Sequence, residues 1–469
     1  MMLLALLFTA TDMLTLEQAL RIADDNQPAL QQQRALARAA WARSNETRAG
    51  FLPQINAGGN VSWQQIAHPP GTAVVTASGT TTGTTGGSGS AGSGGSTGGS
   101  TGGSTGTTGG TTTTTASTTT PPDPRQIYNS VSGTLTASEL LFDGLSTPHR
   151  YLAQRAAARA QEDTVQASRV QIAYNVRTAF YSVLQQKALL TVAKESLDNN
   201  ELHLKQTRGY VETGVKSQID LAIARTNYAN AKVALINAEN AVYTSKAQLN
   251  TNIGIERDLE YDVAEVSSEA IPQESLTPAQ LLDSALAQRP EVQSLKEQIH
   301  ADELLVKAGY GAWSPSLSAQ TGFSTQTGYT EAGKQPLNDF VTNWSASLVL
   351  QWNLFSGLLS FEQVKEAKAN RDAALAQLAQ ERQQVKLDVD KGWLALRASQ
   401  NALGAAQEAI ESAQEQLRLA EGRYQTGAGS AIELSDAQVA RTSAAAQKVQ
   451  AVFNVATARA LMQASVGVL

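Results

Sequence analysis

Four stretches of the chain alternate between apolar or small residues and more polar ones. The apolar positions are Ile55, Ala57, Gly59, Val61, Trp63; Val131, Gly133, Leu135, Ala137; Leu317, Ala319, Phe323; and Trp344, Ala346, Leu348, Leu350, Trp352. A period of two predicts β-strands. Each run has about the 9–11 residues that cross a bilayer as a tilted strand, and tryptophans lie near run ends, as in an interfacial girdle. A small soluble sheet is the alternative for these runs taken alone.

A second pattern, with a period of seven, follows each pair of strands. Its positions are Val176, Val183, Leu190, Leu197, Leu204, Val211 and, further on, Val389, Leu396, Leu403, Ile410, Leu417, Tyr424. Heptads predict coiled-coil helices. Residues 145–213 give one helix of roughly 100 Å at about 1.5 Å per residue. Gly214 and Gly427 end the long helices, and a return helix follows each. An ordinary soluble coiled coil also fits this pattern alone.

The chain contains one unit twice. Residues 27–30 match 289–292 at an offset of 262, whereas 141–144 match 354–357 and 219–221 match 432–434 at an offset of 213. The difference is an insertion of 49 residues in a Gly/Ser/Thr-rich stretch, a composition that cannot order itself around a core. We therefore predict a first repeat over 11–275, with a loop at 71–120, and a second over 276–469. Pro28 and Pro290 should break the helical stretches that open the two units.

Four strands cannot close a barrel, for which about eight are needed. An open sheet edge cannot exist in lipid. If the strands lie in a membrane, the protein must therefore be an oligomer, and a trimer supplies twelve strands and twelve helical segments. The predicted fold class is a mixed α+β membrane protein, in which strands that close a barrel between chains precede long coiled-coil helices.

Composition excludes several classes of protein. A net charge of −6 gives no reason to expect nucleic-acid binding, and the absence of cysteine excludes disulfides and thiolate metal sites. The four histidines are scattered, and no Walker, zincin or nucleophile-elbow motif is present. We therefore predict no enzymatic activity, no metal and no cofactor.

Residues 1–10 resemble the apolar core of a secretion signal, although a few apolar helix-capping residues are the alternative.

These features together resemble the TolC family of outer-membrane efflux proteins over essentially the whole chain. The motifs are the duplicated unit, Phe51-Leu52-Pro53 before the first strand, the Leu-Phe-Asp-Gly and Leu-Phe-Ser-Gly exits at 141–144 and 354–357, and the hairpin tips at 210–221 and 424–438. The resemblance implies a homotrimer with a 12-stranded barrel in the outer membrane of a Gram-negative-type bacterium. A helical barrel would hang in the periplasm, belted by an equatorial region that includes residues 260–279.

The resemblance also implies partners. In the family, Gly-centred hairpin tips dock a periplasmic adaptor that joins an inner-membrane pump of the RND, ABC or MFS type. The docking residues would be Thr213, Gly214, Val215, Lys216, Thr426, Gly427, Ala428 and Gly429. Glycine permits the left-handed turn and close approach of a partner, although a hairpin needs a turn glycine in any case.

A periplasmic gate is the third implication. The family's two acidic gate residues map to Glu433 and Asp436, which share a helix face and would form a ring of six carboxylates in a trimer, unless they only line a solvated face. Tyr424 and Asp220 map to the contact that locks the closed gate. The family's gate arginine is absent, because its position holds Gly429; either Arg423 or Lys216 could replace it.

Two kinds of export fit this interpretation, efflux of small molecules and type I secretion of proteins. The partner pump sets the substrate, so the chain itself does not separate them. A soluble coiled-coil scaffold is the competing hypothesis, and it predicts a protein of the soluble fraction. The loop at 71–120 would face the cell exterior between the first two strands.

Overall fold

The computed structural model describes residues 13–67, 125–256, 261–265, 270–330 and 340–468. The predicted signal remnant at 1–10 and the Gly/Ser/Thr-rich loop at 71–120 lie outside these residues. Within them, the same order of elements occurs twice.

The first half contains a short strand, two helices, two long strands and two long helices. They are β1 Met13–Leu14, α1 Leu16–Asn26, α2 Pro28–Arg48, β2 Gln54–Ala67, β3 Arg125–Phe142, α3 Ser146–Glu212 and α4 Gln218–Ile253. The second half contains β4 Asp262–Val263, α5 Pro278–Gln288, α6 Pro290–Tyr310, β5 Ser316–Thr330, β6 Val341–Gln351, α7 Leu359–Gln425 and α8 Ala431–Val466. The boundary between repeats at 275/276 stays a proposal, since the chain separates instead into a helical and a strand unit.

Prolines break the opening helices where the sequence predicts. Pro28 and Pro290 each occupy the first position of a new helix, where a missing N–H costs no hydrogen bond. Thr15 and Thr277 begin the preceding helices with reciprocal capping boxes to Gln18 and Gln280. Each break therefore follows from local sequence.

The two long helices, α3 and α7, have 67 residues each, and the return helices α4 and α8 have 36 each. These lengths confirm the long helices and the return helices that the sequence predicts. Among the described helices, none has an apolar stretch long enough to cross a bilayer.

The helical unit comprises residues up to 52, 139–318 and 349–469, and it contains two equivalent cores. The first lies among α1, α3 and α4, and the second among α5 to α8. Val176, Val183 and Leu249 in the first core correspond to Val389, Leu396 and Met462 in the second, at the repeat offset of 213. Burial of each such side chain stabilises the fold by about 1.5–3 kcal/mol.

The strand unit comprises 53–138 and 319–348. Its four strands have the order β2-β3-β5-β6, and β2 pairs antiparallel with β3. The register places Ala57 opposite Leu135 and Val61 opposite Val131, whereas Ser62 faces Ser130 with their hydroxyls 2.7 Å apart. Apolar residues thus share one face and polar residues the other. The period-two prediction is confirmed.

Candidate functional site: the hairpin tips

The turn between α3 and α4 forms the first tip. Gly214 has a φ of 76°, and the amides of Val215 and Lys216 donate to the carbonyl of Tyr210 over 2.8 and 3.2 Å. A Cβ added at Gly214 would meet no neighbour within 4 Å, so glycine is required there by backbone conformation rather than by crowding. Val215 is 67% exposed and Thr213 is exposed. This tip projects an apolar side chain into solvent.

The turn between α7 and α8 forms the second tip and has the same backbone. Gly427 has a φ of 79°, and the amide of Gly429 donates to the carbonyl of Arg423 over 2.9 Å. Thr426, like Thr213, directs its hydroxyl to carbonyls of its own helix. Ala428 completes the turn. The two tips therefore share one fold down to individual hydrogen bonds.

Gly429 stands where the resemblance to the family predicts a gate arginine. A Cβ at this position would lie 3.0 Å from the Arg423 Cβ and 3.1 Å from the Tyr424 amide nitrogen. Contacts this short force a neighbour to move. A larger residue at 429 therefore needs a shift of a few tenths of an ångström in this turn; the equivalent position of the first tip accommodates Lys216.

The two acidic residues have different surroundings. Glu433 is paired with Arg423, with 2.9 Å between the Glu433 Oε1 and Arg423 Nη1 atoms. Asp436 lies one turn further along α8 and is exposed. Both line the same hairpin, and Glu433 also borders a groove of about 740 Å³ between α7 and α8. The Glu433 carboxylate is thus partly neutralised, whereas Asp436 has no ion pair among the residues that the structure describes.

Tyr424 is buried against the first hairpin. Its ring makes an edge contact with His203 of α3, with ring centroids 5.3 Å apart, and the Lys216 ammonium lies 4.1 Å from the ring centroid. Thr207, one turn beyond His203, is completely buried, and its hydroxyl lies 3.5 Å from the His203 Nε2. Below the tyrosine pack Ala420, Ala431 and Leu434. We call Tyr424, His203, Thr207 and Lys216 the tip clamp.

The predicted contact between Tyr424 and Asp220 is not formed within the chain. The Asp220 carboxylate instead accepts from the Ser217 amide and hydroxyl, over 3.0 and 2.9 Å, in the capping box that begins α4. Among the described residues, the Tyr424 hydroxyl has no hydrogen-bond partner of good geometry. The physical reason is local: a capping carboxylate three residues from its N-cap satisfies two donors that the helix start must otherwise expose to water.

Burial shifts the pKa values in the clamp. It raises the pKa of Tyr424, and the neighbouring Thr207 hydroxyl partly offsets this rise. It lowers the pKa of His203, an effect that the Asp220 carboxylate opposes. Both shifts favour neutral side chains.

Polar contacts continue the junction between the two hairpins along α8. The Asn227 side-chain amide donates to the Ser435 hydroxyl over 2.8 Å, and Arg441 pairs with Glu195 over 3.0 Å. The hairpins are thus joined by the clamp at the tip and by hydrogen bonds above it.

Sequence reasoning missed His203 and Thr207. The sequence did contain a sign of both residues. In α7 a second set of small residues recurs every seven positions and includes Ala420, and Thr207 is the equivalent residue of α3 at the repeat offset of 213. A polar residue in a seam, with histidine one turn before it, predicts a buried polar contact. Lys216 was one of two candidates for the missing cation, and it stands at the repeat offset from Gly429. Each candidate reaches one gate residue: Lys216 contacts Tyr424, and Arg423 pairs with Glu433.

No cluster of potential metal ligands occurs among the residues that the structure describes. The site therefore offers packing, charge and hydrogen bonds at the end of two long hairpins.

This combination of a four-stranded sheet and two long hairpins is the fold of outer-membrane channels. The chain is similar to the solved structure of CusC, which was studied for folding and transmembrane channel formation, with a TM-score of 0.75 and 17% identity over 97% of this chain and 92% of CusC. It is also similar to the open state of the Neisseria gonorrhoeae MtrE outer membrane channel, with a TM-score of 0.69 and 18% identity over 97% and 89% of the chains.

The family model for outer membrane efflux proteins matches residues 102–254 and 281–468. The chain belongs to this family, which consists of outer-membrane channel proteins rather than enzymes, and the resemblance to TolC-type proteins is confirmed. Its location is the outer membrane. The toluene efflux pump outer membrane protein TtgC of Pseudomonas putida is 25% identical over 282 residues, which are 60% of this chain and 57% of TtgC. The match thus spans little more than half the length of this curated relative.

Proposed function

We propose that three copies of this chain form the outer-membrane exit duct of a tripartite efflux system. The sheets of the trimer make a 12-stranded β-barrel, and the hairpins make a helical barrel in the periplasm. Substrates pass through without chemical change, and the hairpin tips control entry.

The observation that carries this proposal is the open sheet with one uncovered apolar face. Ile55 and Trp63 on β2 are 71% and 75% exposed, and Trp344, Leu348 and Leu350 on β6 are all at least 70% exposed. Contiguous exposed apolar surface of this kind marks a membrane or protein interface. The strands β2 and β6 are also the free edges of the sheet.

Closure follows from the cost of free edges in lipid. An unpaired backbone N–H or C=O costs several kcal/mol in hydrocarbon, so each edge must pair with another chain. Two copies would supply eight strands, which leave little room inside, whereas three supply twelve. The long helices favour the wider assembly, since in this proposal they must also surround a channel.

The tips are the proposed docking site for a periplasmic adaptor. Val215 and Ile219 on the first tip and Ile432 on the second are 67%, 71% and 61% exposed. Exposed apolar residues around glycine turns suit a close helical partner. The adaptor would connect the duct to an inner-membrane pump, whose type this chain does not specify.

The proposed gate is formed by the tip clamp together with Glu433 and Asp436. Three copies would bring their carboxylates around one axis, and an acidic ring selects for cations and against anions. The name of the relative TtgC favours small-molecule efflux over protein secretion for this chain.

Conductance in planar lipid bilayers tests the duct. Purified protein from the membrane fraction should give discrete single-channel steps. A soluble coiled-coil scaffold would instead remain in the soluble fraction and give no steps. Deleting residues 71–120, the proposed extracellular loop, should leave assembly and conductance intact; loss of assembly would refute the loop assignment.

A further inference from the structure

The tip clamp holds a histidine where a charge is poorly accommodated. His203 is 8% exposed, and its ring contacts the ring of Tyr424 at an interplanar angle of 67°. This contact joins α3 of the first hairpin to α7 of the second. Unperturbed histidine changes charge near pH 6.5, within the physiological range.

We propose that His203 makes the duct pH-sensitive: neutral His203 stabilises the closed tips, and its protonation releases Tyr424 and favours opening. This inference rests on the proposed gate function. His203 acts as a positioning residue, since it holds the gate tyrosine and does not face the channel contents directly.

The charged and titratable neighbours set the direction of the effect. The turn before α4 contributes the Lys216 ammonium, which already contacts the Tyr424 ring and would repel a second cation. Helix α4 contributes Asp220, whose carboxylate accepts two hydrogen bonds from Ser217. Helix α3 contributes the Tyr210 side chain, and α7 contributes Tyr424, whose pKa is raised by burial.

The side of the clamp that faces α8 is apolar, since Ala431, Leu434 and Ala437 pack there. Protonated His203 would therefore be attracted by one carboxylate, that of Asp220, which already accepts hydrogen bonds from Ser217. Its apolar surroundings on the α8 side would not replace the water that solvates a free imidazolium. Opening exposes the imidazolium to water and removes this cost.

The pH window follows from the sign of the shift. Burial lowers the pKa of His203 from its ordinary value of 6.5, with Asp220 opposing. The closed packing is therefore at full strength above pH 6.5 and weakens as the pH falls through the lowered pKa. Acidification should open the duct, and alkaline conditions should not.

Single-channel recording between pH 8 and pH 5 tests the inference on the full trimer. Wild-type protein should show a rise in open probability on the acidic side of pH 6.5. His203→Phe keeps an aromatic ring without a titrating group and should lose this rise. The matched control is His300→Phe, because His300 is an exposed histidine of α6; it should keep the wild-type response.

Two further variants decide the case if His203→Phe fails to assemble. His203→Gln also lacks the titration and should lose the acid response, whereas His203→Arg is always charged and should stay open at pH 8. An acid response that persists in the non-titrating variants would overturn the inference, as would a wild-type duct that does not respond to acid. A protein that forms no channels at any pH would instead refute the proposed duct itself.

Discussion

The two hairpin tips share a backbone but use the same positions differently. Asp220 and Glu433 are equivalent in the repeat, yet Asp220 closes a capping box with Ser217 while Glu433 pairs with Arg423. Ser430 caps α8 through its hydroxyl alone. Three residues further on, the apolar Ile223 packs on the tip core and its equivalent Asp436 is exposed.

The two copies of the unit therefore have different parts in the proposed gate. In the first tip, Asp220 stabilises the start of its own helix and Ile223 packs on the tip core. In the second tip, both positions carry carboxylates, one paired with Arg423 and one exposed. The first hairpin contributes His203, Thr207 and Lys216, which surround Tyr424.

The largest effect should come from fixing the two hairpins together. The chain has no cysteine, so Asn227→Cys with Ser435→Cys introduces a single reactive pair at a contact now 2.8 Å long. A short crosslinker with two thiol-reactive maleimide groups should abolish conductance, because the tips could no longer separate. Either single variant treated in the same way should conduct normally; full conductance of the crosslinked pair would show that opening does not involve this junction.

Removing the two carboxylates of the proposed gate should have the next largest effect. Glu433→Gln with Asp436→Asn should raise the concentration of a multivalent cation needed to block the channel by about ten-fold, since roughly 1.4 kcal/mol of lost attraction gives that factor. Glu239→Gln, an exposed acid of α4, is the matched control. Unchanged block in the double variant would contradict the acidic ring.

The capping difference predicts unequal effects on local stability. Asp220→Ala should destabilise the first turn of α4 by about 1 kcal/mol, because it removes a capping box. Amide hydrogens in this turn should then exchange roughly five-fold faster. Glu433→Ala should change exchange at the start of α8 less, since it removes only a partly exposed ion pair. Hydrogen exchange followed by mass spectrometry measures both, and equal effects would erase the distinction between the tips.

The smallest effect should be an increase in cation block. Arg423→Ala removes the cation that pairs with Glu433, so block should strengthen by about two-fold, in keeping with the modest energy of exposed ion pairs. Arg418→Ala serves as a control, because Arg418 pairs with Glu415 on the same helix. Weaker block in Arg423→Ala would mean that Arg423 does not screen the gate.

Sequence periodicity predicted most of the fold because each element follows from local rules. Heptads predicted α3 and α7, Pro28 and Pro290 predicted the helix breaks, and alternation predicted β2, β3, β5 and β6. The clamp could not be predicted in the same way. Asp220 had to be assigned either to its own helix start or to Tyr424, and only three-dimensional geometry decides between a local hydrogen bond and one between hairpins.

Closure of the sheet by three chains is the central feature of the proposed duct. Native mass spectrometry of protein extracted from the outer membrane in mild detergent measures this directly. We expect one species of three chains, each of 49.6 kDa before any processing. A species of one or two chains that still conducts would contradict the proposed barrel.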